Sequence, residues 1–363
     1  YNTAVGYLAL DAVTTSNENT ALGCAAGGAI TTGARNTAIG SAALDELSTG
    51  SNNTAVGREA LTKATTSSNN TGLGYEALKE NTTASDNVAV GYQSLKLNTT
   101  GANNTAVGYQ SLTANTTGLQ NVSVGDGALD ANTTGHYNVA IGKSALGAST
   151  TADNNTAVGR AAGSAITTGV QNVCLGDSAG DAITTGDENI IIGYTAAASA
   201  VGATNQIVMG RGVTGNANTS FCFGEGTNDS AIEFGATSIS APSDIRLKED
   251  IQEEKVGLNF VNDLRPVTFR WKKAKDVPAE LKAHVPDSEK RVMNGKNNHG
   301  FIAQEVKEVI DRYPDIKEGF DMWTEDDVDG RQRIGESALI PIMVKAVQEL
   351  SAQLDELKSK LGD

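Results

Sequence analysis

Written in rows of 17, the first two thirds of the chain fall into one pattern of apolar and polar columns. Each row starts at an asparagine, from Asn2, Asn19 and Asn36 to Asn189. Its second residue is Thr, Val or Ile, its third is small and usually Ala, and its fourth is Val, Leu or Ile, as in Val5, Leu22, Ile39, Val107, Ile141 and Ile192. The fifth is always Gly, and thirteen such glycines, from Gly6 to Gly210, keep one register without a slip. Two apolar positions alternating about a small one predict a short strand ended by a glycine turn. The sixth residue ranges over Tyr109, Arg58, Lys143 and Asp126, which marks it as solvent-facing. A second apolar position, the ninth, is usually Leu (Leu61, Leu78, Leu95, Leu112, Leu129), and a "TTG" corner follows.

A period of 17 is too short for a pair of helices, yet long enough for one coil of a β-solenoid with two short strands and Gly or Asn corners. Thirteen coils at roughly 4.8 Å each make a rod of roughly 60 Å. The rows also compensate one another. Where the Leu is replaced by Gly27, Gly163 or Gly180, the position three later becomes Ile30, Ile166 or Ile183. Where Leu is kept, that later position is often Asn, as in Asn81, Asn98, Asn115 and Asn132. Close-packed interiors penalise voids and overfilling alike, so the two columns read as sharing one core volume. A disordered tract has no reason to conserve volume.

The strict repeat fades after residue 210. Residues 211–242 read as a β-rich linker or neck, with short strands at "FCFG" and "IEFG". Residues 243–363 read as an α+β domain. Near its end Ile340, Met343, Val347, Leu350, Leu354, Leu357 and Leu361 recur in steps of three and four, the a/d seam of a helix that starts near Glu336 and ends by Gly362. Three heptads are marginal alone, so this helix is expected to associate within a trimer; a core-packed helix of the same domain is the competing expectation.

Charge sharpens the division. Residues 243–363 hold 25 Asp+Glu and 20 Lys+Arg, leaving 18 and 8 for residues 1–242. All seven Phe and both Trp lie at or beyond Phe221, so the repeats must build a thin core from Ala, Val, Ile and Leu. Both parts are acidic, at 8 − 18 = −10 and 20 − 25 = −5, which argues against nucleic acid as a partner. Cys24, Cys174 and Cys222 are odd in number and far apart; they read as small fillers and not as a disulfide framework. With three scattered His beside them, no metal site and no cofactor is expected. There is no run of 18 apolar residues, so no membrane insertion is expected. The opening "YNTAVG" lies inside a repeat, and the chain is expected to be a fragment of a longer protein whose true N-terminus is missing.

Other features have two readings each. The Asn-x-Thr triplets fit a glycosylation acceptor, or simply corner residues. Paired threonines suggest an ice-binding ladder, but adjacent strand residues face opposite ways, leaving one Thr per coil. Tyr75, Tyr92 and Tyr109 stand one coil apart, as an exposed ladder or as a glycan-binding stripe. The glycine-rich turns lack the Lys-Ser/Thr of a phosphate loop, and no paired carboxylates for glycoside hydrolysis recur out of the repeat. In "SAPSDIRLKEDI", Ser243 and Lys248 are five residues apart; on a helix they would not share a face, and they could meet only if Ser243 lies in an extended segment ahead of one. Alternatively Ser243 simply caps that helix, with Asp244 helping.

The repeats, with "NTAVGYQSL" at their centre, resemble the head repeats of trimeric autotransporter adhesins and the repeat arrays of phage tail fibres. That likeness covers residues 1 to about 210 and implies a trimeric β-solenoid, or β-roll. "SDIRLK", "VGLNFVNDLRPVTFRWK", "HGFIAQEV" and "ALIPIMVKAVQELSAQLDEL" follow in order and resemble the C-terminal intramolecular chaperone of phage endosialidases and tail fibres, over all of 243–363. Members of that family trimerise, assist folding of the fibre before them, and cut themselves off at the bond preceding the motif serine, here Pro242-Ser243. The resemblance implies Ser243 as nucleophile and Lys248 as base, a chemistry that needs a desolvated lysine. His299 is the candidate for orienting the site or steadying the oxyanion, with Gln304 behind it. The expectation is therefore a homotrimeric tail-fibre segment of a virion, assembled in the bacterial host cytoplasm. It would join upstream tail proteins through its missing N-terminal part and face a host surface glycan or protein receptor. The rival expectation is a bacterial trimeric surface adhesin whose terminal domain serves only assembly.

Overall fold

The computed structural model describes every residue except 237, 242, 318, 319, 327, 328 and 363. It divides into two compact units, Tyr1–Asp244 and Ile245–Asp363.

The first unit is a mainly β solenoid of about 13 turns with a 17-residue repeat. Each coil contributes one three-residue strand, from β1 (Thr3–Val5) to β12 (Ile190–Ile192), and the sheet runs on through β13 (Gln206–Arg211), β14 (Ser220–Glu225) and β15 (Asn228–Glu233). Its fifteen strands follow chain order. Pairing is parallel and in register, each residue opposite the one 17 later up to β13, as in Thr54↔Thr71; β14 pairs parallel to β13 at an offset of 14, Gln206↔Ser220, and β15 folds back antiparallel onto β14. The sheet thus crosses the expected boundary at residue 210 without a break.

One expectation about the coil changes, and the facing of its strand, open in the sequence, is defined. Each coil has one strand, and the second apolar column lies in a turn: Leu61, Leu78, Leu95, Leu112 and Leu129 all have φ between 49° and 55°. The backbone there still bonds along the axis, for example Leu61 N–H to the Ala77 carbonyl at 3.0 Å, so the turn leaves its leucine N–H groups paired. A left-handed Leu costs about 1–2 kcal/mol, and full burial of its side chain returns a similar amount. Within the strand, the small third residue is the buried one (Ala21, Ala38, Ala55, Ala106, Cys174), while the second and fourth point outward. Val5, Leu22, Leu73 and Ile141 are exposed. No residue in those two outward columns, from Thr3 to Met209, is charged.

The invariant glycine is explained by contact with its neighbour. At Gly57 φ is 136°, and a Cβ would lie 2.3 Å from the Gly74 carbonyl oxygen. The leading asparagines form a buried ladder: Asn36 donates its backbone N–H (2.9 Å) and its Nδ2 (3.1 Å) to Asn19 Oδ1, and its Nδ2 also reaches the Gly50 carbonyl at 3.0 Å. All three cysteines are free thiols; burial pushes Cys174, which stands in an alanine column, up to about 12.

A second buried ladder joins Asn81, Asn98, Asn115 and Asn132. These are the asparagines of the "NTT" acceptor triplets, and all four are fully buried. Ser149 holds the next place, and its hydroxyl and the Asn132 side-chain oxygen are buried without a hydrogen-bond partner. Around Asn81, the Ala84 carbonyl accepts from both Asn70 Nδ2 and Asn81 Nδ2 at 2.9 Å. Ala152 stands in the same relation to Ser149 and already accepts from Asn138 Nδ2 at 2.7 Å. Ser149→Asn is therefore expected to extend the ladder and add about 1 kcal/mol of stability. A denaturant midpoint below that of the wild type would show that the column cannot be extended.

The second unit is α+β. Helices α1 (Leu258–Asp263) and α2 (Ala303–Ile310) share a core with the start of α3 (Leu339–Leu361). Two two-stranded antiparallel sheets accompany them, β16 (Val267–Phe269) with β17 (Asn298–Gly300) and β18 (Trp323–Glu325) with β19 (Gln332–Ile334). Phe260 is the centre, edge-on to Tyr313 at 5.1 Å and to Phe320 at 6.0 Å. Helix α3 buries only Leu339, Ile342 and Ala346. All seven expected seam residues, Ile340 to Leu361, are between 52% and 76% exposed, so they are not core positions of their own chain's unit. No helix among the described residues is long and apolar enough to cross a membrane.

Candidate functional site

The segment that carries the expected chemistry starts at the end of the first unit. Ser243 and Asp244 have irregular backbone, and Ile245–Leu247 form a single 3-10 turn closed by Lys248 N–H on the Ile245 carbonyl at 3.2 Å. Ser243 therefore precedes a helical turn and does not ride on it, the local arrangement that a serine and a lysine five residues apart require. Both side chains are exposed, Ser243 in the first unit and Lys248 in the second. Pro242, whose carbonyl belongs to the expected scissile bond, lies outside the described residues.

His299 is the middle residue of β17, opposite Thr268, and is exposed. Through Phe301 and Ile302 the chain passes directly into α2, where Gln304 is the second residue and also exposed. The two thus flank one strand-to-helix turn.

What the second unit does bring together was not visible in the motifs. Arg265, just after α1, grips Glu305 in the first turn of α2 with both arms of its guanidinium, Nε at 2.9 Å from Oε2 and Nη2 on Oε1. Hydrogen bonds from Arg265 hold the Glu305 carboxyl below its usual range. Asp263 accepts from the Tyr313 hydroxyl at 2.9 Å and lies 3.5 Å from Arg312; burial, with help from Asp263, raises Tyr313. Asp263, Arg265, Glu305 and Arg312 line a cleft together with Val306 and Val309. Helix α1 has no cap of its own, and Glu349 of α3 supplies one, accepting from Leu258 N–H at 2.8 Å. Gly257 is the trace of this in the sequence, because a Cβ there would lie 2.6 Å from Glu349 Oε2. Such pairs fasten α1, α2 and α3 together.

Residues 243–316 match the family model described as chaperone of endosialidase. The match begins at Ser243 and gives the C-terminal region a chaperone or assembly role. Comparison with curated proteins and with solved structures gave no match.

Proposed function

We propose that this chain is a structural segment of a phage tail fibre, a homotrimer whose C-terminal domain drives assembly and then cuts the Pro242-Ser243 bond. The observation that carries this reading is the start of the chaperone match at Ser243, which precedes a helical turn and Lys248. Assembly is supported by two uncovered faces, the charge-free outer columns of the sheet, one of them apolar and the other mostly threonine, and the exposed apolar seam of α3. Contiguous exposed apolar stripes on a lone chain mark interaction surfaces, and repetition along both faces lets identical chains pair like with like.

In the cut, Ser243 Oγ attacks the Pro242 carbonyl carbon while Lys248 takes the hydroxyl proton. The bond to the Ser243 nitrogen breaks, that nitrogen receives the proton, and an ester to Oγ forms. Water then hydrolyses the ester, leaving a carboxylate on Pro242 and restoring the serine. Because Ser243 supplies both nucleophile and leaving nitrogen, attack needs orientation and a base, not substrate binding. Lys248 is exposed in a single chain and serves as base once assembly desolvates it, so cleavage reports a closed trimer. His299 orients the site or steadies the oxyanion, with Gln304 behind it.

Purified chain is expected to separate into residues 1–242 and 243–363. Ser243→Ala and Lys248→Ala stay whole yet still assemble. Mass spectrometry of the new N-terminus decides: a fragment starting anywhere but Ser243, or equal cutting in Ser243→Ala, overturns the mechanism. A chain that assembles and never cuts fits the bacterial adhesin reading instead.

A further inference from the structure

The outward face formed by the sixth, seventh and tenth columns changes character at the eighth coil. From the fourth to the seventh coil it is filled. Tyr75, Tyr92 and Tyr109 stack with centroids 5.3 and 5.2 Å apart and planes within 13°, and Arg58 covers the far side of Tyr75 at 5.6 Å. Every ring face in the stack is thereby used except one, the face of Tyr109 that looks along the axis toward the next coil. Beside it the seventh column forms its own ladder, Gln93 Nε2 on Glu76 Oε2 at 2.8 Å and Gln110 Nε2 on Gln93 Oε1 at 3.1 Å. Each amide donates backward and accepts forward, so the Gln110 oxygen is the acceptor at the open end.

Both ladders stop at the same coil. The sixth column continues as the short Asp126, paired with Lys143 at 3.2 Å, and the seventh as Gly127. A side chain starting at Gly127 would lie 3.7 Å from Asp130 Oδ2 and 3.8 Å from Ser144 Oγ, so the space it leaves is bordered by a carboxylate and a hydroxyl. Tyr109 and the sixth residue two coils on are about 9.6 Å apart by the coil rise. That is room for one six-membered ring in van der Waals contact, at about 4 Å, on either side.

We propose that this notch binds a neutral pyranose, its C–H face on the open face of Tyr109 and its hydroxyls on Gln110, Asp126, Asp130 and Ser144. An aromatic platform edged by a few convergent polar groups is the chemistry that recognises a ring with one apolar face and a polar rim. Asp130 is half-buried; burial raises its carboxyl, while the backbone N–H groups of Asp130 and Ala131 act to lower it. Two carboxylates against one lysine disfavour an anionic sugar. Of the two sequence readings of Tyr75, Tyr92 and Tyr109, the exposed ladder describes the stacked rings, and the glycan-binding stripe is reduced to one platform, since stacking consumes the other faces. The inference does not depend on assembly or cleavage.

The test uses the full chain and the methyl glycosides of glucose, galactose, mannose and N-acetylglucosamine, followed by saturation-transfer NMR and tyrosine fluorescence. At least one glycoside is expected to bind saturably and to receive transfer from Tyr109. Asp126→Tyr copies the existing stack by one more ring, closes the notch, and is expected to weaken binding at least tenfold with an unchanged or higher melting temperature. Tyr194→Ala, in the same column but remote, is expected to bind as wild type. No binding by any of the four, equal binding by Asp126→Tyr, or equal loss in Tyr194→Ala would each overturn the assignment.

Discussion

Replacing Leu350 and Leu354 together by Glu, in a Ser243→Ala chain that keeps its last domain, is expected to abolish the trimer. Light scattering should give three times 37.5 kDa for the parent and 37.5 kDa for the variant. The expected effect is large because the two leucines sit mid-seam, 55% and 52% exposed in the single chain. Closure of a three-helix seam would bury them, at about 2 kcal/mol each. Six carboxylates in the same place would have to be buried unpaired or not buried at all. The second unit itself should survive, since α3 contributes only Leu339, Ile342 and Ala346 to its core, and helical circular dichroism checks that. With Ser243 restored, the same pair of changes should also leave the chain uncut. A variant that keeps the three-chain mass removes α3 as the seam; one that is monomeric yet cuts itself separates cleavage from assembly.

The parts of the fold that could be read from sequence are those that repeat or that act over a few residues. Period 17 was visible because stacked coils force Gly57 and its equivalents against the carbonyl of the next coil, which no other residue tolerates. The α3 seam was visible because its spacing is local. The facing of the strand was not. Alternation shows that Thr54 and Val56 share a side and Ala55 the other, but not which side is inward, and a solenoid this thin puts the small residue inside. The left-handed leucines were hidden too: Leu61 has no preference that announces φ of 53°. Their one trace was the exchange with Gly27, Gly163 and Gly180, residues at home in that conformation. Asn19 and Asn36 read as corners because the ladder that buries them is made by neighbouring coils. In the second unit, Arg265 with Glu305 and Leu258 with Glu349 are 40 and 91 residues apart, and no motif links such distances.

The exchange between Leu and Gly leads to the second large effect. Leu61→Gly should cost on the order of 2–4 kcal/mol, the cavity of a buried leucine less the strain of a left-handed side chain. Adding Ala64→Ile should recover more than half. In the native coils that carry the exchange, the Ile occupies the space of the missing Leu: a Cβ at Gly27 would meet Ile30 Cδ1 at 2.9 Å, and one at Gly163 would meet Ile166 Cδ1 at 3.0 Å. Position 64 suits the test better than position 115, because Asn115 holds two bonds of the inner ladder, at 2.7 and 2.9 Å, and its loss would mask the gain. The neighbours of Ala64 in its column accept an isoleucine. Leu47 already lies next to Ile30 there, and Asn81 directs its amide to the Ala84 carbonyl at 2.9 Å. Denaturant midpoints of the single and double variants decide the matter. Since glycine's freedom is common to both, a double variant no more stable than the single would mean that the two columns do not share a volume.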